Sequence, residues 1–141
     1  MSTPHRTVHQ LRLVVTVEDL DAALAFYRDA LGMPVEEAFE AEGDARVAIL
    51  DAGRATLELA NRPQVEFIDR VETDGATSPP LRVAFQVADA DGVTRTLVEA
   101  GAELVASPRE TPWRSRNARL EAPGDLQVTV FEELEPPRRQ R

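Results

Sequence analysis

One pattern of apolar and polar positions occurs twice along this chain. RLVVTVED at 12–19 alternates like a half-buried strand, and a helical pattern follows that stops at Gly32. RVAFQVAD at 82–89 repeats the alternation 70 residues later, and its helical pattern stops at Gly101. An internal repeat of this kind predicts two copies of one supersecondary unit.

Each half of the repeat carries a helix with recognisable ends. Asp19 or Asp21 suits the N-cap of the first helix, and Asp89 or Asp91 that of the second, because a carboxylate accepts hydrogen bonds from unpaired N–H groups of the first turn. Glycine after the last turn favours a left-handed C-cap. The spacing of apolar residues predicts a buried stripe on the first helix, formed by Leu20, Ala23, Leu24, Tyr27 and Leu31.

Shorter apolar runs predict the remaining elements. The acidic stretch 36–44 is interpreted as a solvated loop or an edge strand, and 64–71 as a short amphipathic helix. Four more strands are expected at 46–51, 55–60, 117–121 and 126–131. Each half then has the order β-α-β-β-β. We therefore predict an α+β fold in which two βαβββ modules form paired mixed sheets around a cleft, with the helices outside.

The domain boundaries follow from these elements. We expect one domain of two modules between an N-terminal extension and a disordered tail rich in proline and arginine. The predicted limits are 1–10 for the extension, 11–133 for the domain (11–72 and 81–133 for its modules, 73–80 for their linker) and 134–141 for the tail.

Composition removes several classes of function. The 141 residues include no cysteine and no lysine, so thiolate nucleophiles, zinc–thiolate sites and lysine Schiff bases are excluded. His5 and His9 are the only histidines, which excludes a site made of several histidines. The net charge is −9, and the sequence has no basic patch of the kind that proteins use to bind nucleic acids. Without a long apolar run or a signal peptide, we expect a cytoplasmic protein with no membrane partner.

Specific motifs give the chain a family resemblance. VEDLDAALAFYRDALGM at 17–33, TLEL at 56–59, VAFQVAD at 83–89 and the segment 112–131 resemble the vicinal oxygen chelate superfamily over roughly residues 10–133. That superfamily includes glyoxalase I, extradiol dioxygenases and the bleomycin- and fosfomycin-resistance proteins. The resemblance implies the paired-module fold and a homodimer, and it leaves the chemistry open because the fold hosts many activities.

The same resemblance locates a metal site whose ligands are missing. The four ligand positions of the family's enzymes fall on Arg12, Glu58, Arg82 and Thr129. Arginine stays protonated and has no acceptor atom, so only Glu58 is a good ligand. His9 is the best substitute, but it lies an odd number of residues from Arg12 and so faces the other side of a regular strand. We therefore expect no metal and no cofactor.

The residues at the vacated positions allow two interpretations. Arg12, Glu58 and Arg82 form either a buried network that replaces the metal as a fastener or an anion site that contacts a ligand. Gln86 shares its side of the strand with Arg82, and Trp113 stands in the loop that enters the next-to-last strand. The predicted ligand-binding set is Arg12, Glu58, Arg82, Gln86, Trp113, Asn117 and Thr129. Phe67 and Tyr27 are expected in the core.

Two functions remain open. The first is a metal-independent protein of the glyoxalase and bleomycin-resistance type that binds or sequesters an aromatic or anionic metabolite or antibiotic in the cleft. The alternative is an enzyme of the same superfamily, a lyase, isomerase or dioxygenase-like protein, that uses Glu58 as base or metal ligand. We expect the neighbouring arginines to lower the pKa of Glu58, which disfavours a base near neutral pH.

Overall fold

The elements of the computed structural model, which describes residues 7–134, follow the order of two βαβββ modules joined by one extra helix. The first module contains β1 Val8–Val17, α1 Leu20–Leu24, β2 Val35–Ala41, β3 Ala45–Asp51 and β4 Thr56–Asn61. The joining helix is α2 Arg62–Thr73. The second module contains β5 Leu81–Val87, α3 Ala90–Glu99, β6 Glu103–Glu110, β7 Ser115–Ala122 and β8 Leu126–Glu133. The acidic stretch after the first helix is therefore a strand, and all of β2 is exposed.

The two modules join edge to edge in a single eight-stranded sheet. The strand order is β2-β3-β4-β1-β5-β8-β7-β6, so each module supplies four neighbouring strands. The first strand of each module pairs in parallel with the last, as β1 with β4 and β5 with β8. An antiparallel pairing of β1 with β5 connects the halves within one chain. The predicted α+β fold is thus confirmed, with a mixed sheet curled around a cleft.

The ends of the domain differ slightly from the predicted limits. β1 begins at Val8, so 8–10 of the predicted extension belong to the sheet, where Val8 pairs with Val87 across a bulge. Of the expected tail 134–141, only Leu134 lies within the described residues. No helix within residues 7–134 is long and apolar enough to cross a membrane.

The module helices begin at the aspartates that the sequence indicates. Asp19 accepts a hydrogen bond from the amide of Ala22 at 3.0 Å, and Asp89 accepts one from Gly92 at 3.0 Å. After α1 the chain widens into a π-helical turn at Ala25–Ala30. That wider turn shifts the apolar stripe, so Leu31 is 64% exposed instead of buried.

The sheet has an outer and an inner face with different partners. On the outer face, α1 packs against Leu50 and Leu59, and α3 packs against Leu120 and Val130. Both module helices therefore lie outside, as predicted. The joining helix α2 belongs to neither module and lies on the inner face, where its buried polar residues contact β7. Its position covers part of the cleft.

Candidate functional site

A cavity of about 310 Å³ lies between the inner face of the sheet and α2. Strands of both modules line it, because alternate residues of each strand point to the same face. Its apolar walls include Val14, Ile49, Ile68, Ala84 and Phe131. Six of the seven predicted ligand-binding residues also line it, namely Arg12, Glu58, Arg82, Trp113, Asn117 and Thr129.

Arg12 is fixed on the floor of the cavity by neighbours on three sides. Its Nε donates to Thr56 Oγ1 at 3.1 Å, and its Nη2 donates to Gln10 Oε1 at 2.9 Å. The guanidinium stands 5.1 Å from the ring centroid of Phe131, a cation–π contact. Its Nη1 lies 3.6 Å from Glu58 Oε1, which makes an ion pair without a hydrogen bond. The head group is therefore held in one orientation.

Glu58 is a buried carboxyl group that accepts no hydrogen bond from any side chain or backbone amide in the described part of the chain. Burial raises the pKa of Glu58 above its ordinary value, and the nearby charges of Arg82 and Arg12 oppose that rise without cancelling it. The expectation of a lowered pKa was wrong, because removal from water outweighs the two arginines. The pKa of Glu58 is therefore raised although two arginines stand beside it.

Arg82 is 6% exposed and uses few of its donors. Its Nη1 donates to Thr129 Oγ1 at 2.7 Å, and among residues 7–134 it makes no other hydrogen bond and no ion pair. Burial lowers the pKa of the Arg82 guanidinium, while the charge of Glu72 counteracts this most strongly. A guanidinium has five N–H donors, so most of those on Arg82 are open toward the cavity.

A second buried arginine, which was not among the residues predicted from the sequence, is the centre of a network of ion pairs with α2. Arg119 on β7 is 1% exposed and donates to Asp69 Oδ1 at 2.9 Å and to Glu72 Oε1 at 2.6 Å, both on α2. Gln127 accepts a further bond from Arg119 at 3.2 Å. Asp69 and Glu72 stand three residues apart on one face of a helix, and that spacing was the available signal. These contacts attach α2 to the sheet.

Asn117 and Gln86 are placed differently from each other. Asn117 Nδ2 donates to Glu72 Oε2 at 2.6 Å, and its Oδ1 accepts from Ser115, so the amide is part of the attachment of α2. Gln86 is outside the set of cavity-lining residues, and its Nε2 donates to Glu133 Oε1 at 2.7 Å. The prediction that Gln86 lines the cavity is therefore wrong, because its amide is bonded to the exposed Glu133 instead.

An aromatic pair stands at the wall of the cavity. The ring centroids of Phe67 and Trp113 are 6.0 Å apart with 56° between the planes. Phe67, expected in the core, lines the cavity because α2 lies on the inner face. Trp113 remains 40% exposed. Tyr27 packs against the outer cluster, as expected.

The donor set does not fit a divalent metal. Of the four corresponding positions, Arg12 and Arg82 carry guanidinium groups and Thr129 already accepts a bond from Arg82, so Glu58 alone offers a good ligand. His9 is exposed and is not among the residues that line the cavity. Within 7–134 there is no cluster of three or more histidine, cysteine or acidic side chains able to hold a metal.

Comparisons with known proteins agree with this fold. An uncharacterized protein of Bacillus subtilis, YraH, is 26% identical over 129 residues, which are 89% of this chain and 97% of that protein. Methylmalonyl-CoA epimerase from Mycobacterium tuberculosis superposes with a TM-score of 0.67 at 24% identity, covering 95% of this chain and 94% of that one. A superfamily member from Vibrio splendidus gives a TM-score of 0.58 at 14% identity, covering 87% of this chain and 97% of that one.

A family model supplies the classification. The model described as Glyoxalase/Bleomycin resistance protein/Dioxygenase superfamily matches residues 9–130, which include all or most of every strand that lines the cavity. The two-module sheet and this match agree over almost the whole described chain. The chain belongs to the glyoxalase/bleomycin resistance protein/dioxygenase superfamily.

Proposed function

We propose that this protein binds a small organic molecule in the inner-face cavity, without a metal ion, through a carboxylate or carbonyl oxygen that accepts hydrogen bonds from Arg82. The open donors of Arg82 carry this proposal. A guanidinium that is 6% exposed and has one hydrogen bond is costly to bury, and a ligand oxygen supplies the missing acceptors. Arg12, held beside Glu58, adds a second positive charge to the same floor.

The walls of the cavity favour a ligand with a flat apolar part. Phe131, Phe67 and Trp113 present aromatic surface, and Val14 and Ile68 add aliphatic surface. A small pocket with apolar walls and few converging polar groups is the usual form of a small-molecule site. Structural neighbours from Streptomyces coelicolor, solved in complex with 2-nitronate-propionyl-CoA, show ligand binding by similar folds.

Titration calorimetry with 4-methylbenzoate, an aryl carboxylate, tests the proposal. We expect saturable binding to the purified protein, and about a 10- to 100-fold loss in Arg82→Gln, because a charge-assisted hydrogen bond is worth roughly 1.5–3 kcal/mol. Arg54→Gln, an exposed arginine that does not line the cavity, is the matched control and keeps full affinity. Equal affinity of Arg82→Gln and the natural protein refutes the proposal.

Proton transfer by Glu58 is the second candidate, and the raised pKa of this residue favours it. A carboxyl group whose pKa moves toward neutral pH is a better general base or acid. In the proposed step the Glu58 carboxylate takes a proton from a carbon next to a carbonyl group. The C–H electron pair forms the carbon–carbon double bond of an enolate, and the π pair of the carbonyl moves onto its oxygen, where Arg82 stabilises the charge; protonation of the same carbon by the Glu58 carboxyl group then restores the carbonyl. Such a protein would be an isomerase or epimerase.

Deuterium exchange separates an enzyme from a binder. We expect an enzyme to wash deuterium from solvent into C3 of phenylpyruvate faster than buffer does, as measured by proton NMR. Glu58→Gln then keeps binding and loses the exchange. A protein that binds phenylpyruvate without accelerating exchange is a binder, and the second candidate is refuted.

A homodimer and a cytoplasmic location complete the proposal. β2 lies at one edge of the sheet and is exposed over its whole length, and pairing between two copies would cover such an edge. Light scattering after gel filtration tests the dimer, and a monomer mass at micromolar concentration refutes it.

The net charge of −9 supports the expectation of no nucleic-acid partner.

A further inference from the structure

The charges that line the cavity differ between its buried and exposed parts, and its two buried carboxylates, Glu58 and Glu72, are paired with arginines. Its cations lie at the bottom, where Arg82 is 6% exposed and the side chain of Arg12 is 19% exposed. Carboxylates stand at the mouth, where Glu37 on β2 and Glu133 on β8 line the cavity and are exposed. A ligand that fills this cavity therefore has arginine side chains beside its inner end and carboxylates beside its outer end.

The carboxylates at the mouth have few partners of their own. Glu37 makes no hydrogen bond and no ion pair with any residue of the described chain, and Glu133 accepts one bond from the neutral amide of Gln86. Two other acidic residues of the lining are already engaged. Glu72 pairs with Arg119 at 2.6 Å, and Glu58 pairs with Arg12 at 3.6 Å. Of the exposed carboxylates without an ion pair, Glu37 and Glu133 face the cavity side of their strands, whereas Glu40 lies an odd number of residues from Glu37 and faces the other side of β2.

We infer that the ligand is dipolar, with an anionic group held by Arg82 and Arg12 at the floor and a cationic group facing Glu37 and Glu133 at the mouth. This inference rests on the proposed function, because the open, buried donors of Arg82 show where the anionic end goes. An ammonium or guanidinium group at the outer end gains from the unpaired carboxylates. A cavity of about 310 Å³ suits a single aromatic ring between the two charged ends.

The same arrangement disfavours ligands with phosphate at the outer end. A coenzyme A tail carries several negative charges, and the mouth presents two carboxylates where basic residues would be needed. The structural neighbours solved with coenzyme A esters share the fold with this chain at under 25% identity. The charge pattern of the mouth separates the ligand class of this chain from theirs.

A pair of probes that differ only in an ammonium group tests the inference. Calorimetry at low and high salt compares 4-(aminomethyl)benzoate with 4-methylbenzoate. We expect the aminomethyl compound to bind about fivefold more tightly at low salt, since two exposed carboxylates attract its ammonium group. High salt reduces that ratio, because exposed charges are screened.

Paired variants locate the effect. In the double variant Glu37→Gln with Glu133→Gln, the affinity ratio of the two probes falls to about one, because the carboxylates that attract the ammonium group are gone. Glu99→Gln combined with Glu103→Gln removes the same charge from exposed positions outside the cavity and keeps the ratio.

Two results would overturn the inference, and they differ in whether the proposed function fails with it. If 4-methylbenzoate binds as tightly as its aminomethyl analogue, or if coenzyme A esters bind more tightly than both, the ligand is not dipolar and the proposed carboxylate site survives. If neither benzoate binds, the proposed function fails and the inference fails with it.

Discussion

Replacing Arg119 by methionine tests which buried arginine fastens the fold. The change removes the hydrogen bonds to Asp69 at 2.9 Å and to Glu72 at 2.6 Å and leaves both carboxylates buried on α2. Each charge-assisted bond contributes roughly 1.5–3 kcal/mol, so about 3–6 kcal/mol is removed. Breaking a buried ion pair by deleting one partner costs about 3–5 kcal/mol, which agrees. We expect a loss of stability of about 3–5 kcal/mol.

Urea unfolding followed by circular dichroism measures this loss. With a slope of about 2 kcal/mol per molar urea, the midpoint falls by roughly 1.5–2.5 M. Arg116→Met on the same strand is the matched control, because Arg116 pairs with Asp91 at a partly exposed site. It costs less than about 1 kcal/mol.

A second variant tests whether the loss of stability comes from the unpaired carboxylates or from any substitution at this position of β7. Arg119→Met combined with Asp69→Asn and Glu72→Gln removes both carboxylates together with the arginine that pairs with them, and it regains part of the lost stability. A loss below about 1 kcal/mol for Arg119→Met alone contradicts the assignment of Arg119 as the fastener of α2.

Three further predictions concern the cavity. Arg82→Met leaves the unfolding free energy unchanged or raises it in the absence of ligand, because a buried charge with one hydrogen bond is removed; a loss as large as that of Arg119→Met would make Arg82 structural instead. Since the pKa of Glu58 is raised in the folded protein, its stabilising contribution is complete below the ordinary value of 4.5 and is lost as pH rises through the folded value. Urea titrations above pH 4.5 should therefore show Glu58→Gln gaining on the natural protein as pH increases, and a constant gap contradicts this. Phe67→Ala weakens 4-methylbenzoate binding by about tenfold and leaves the outer cluster intact, as calorimetry and near-ultraviolet dichroism together report.

The sequence predicts the modules well because their signals are local. Strand alternation and the aspartate caps are properties of neighbouring residues, and the structure contains them. The family resemblance selects Arg12, Glu58, Arg82 and Thr129 as corresponding positions on four strands, and all four line the cavity. The repeat further indicates which strands correspond. The residues at the floor of the cavity were therefore predictable from the resemblance together with the repeat.

The inner position of α2 was not predictable from its pattern. An amphipathic stripe shows that one face is buried, but it does not show which layer of the fold buries it. For the same reason Glu72 and Arg119 were not predicted as neighbours of the site, and Phe67 was predicted to lie in the core. The prediction of a lowered pKa for Glu58 was wrong for a related reason, because the burial of Glu58 depends on the helix that covers the cavity.

Binding measured on metal-free protein tests the central claim most directly. The protein is stripped with chelator, its metal content is determined by elemental mass spectrometry, and 4-methylbenzoate is titrated with and without added manganese, cobalt, nickel or zinc. The account predicts the same affinity in every case, with less than about a tenth of an equivalent of metal retained after dialysis, because Glu58 is the only good ligand among the four corresponding positions. One equivalent of tightly held metal, together with binding only when it is present, would contradict the account.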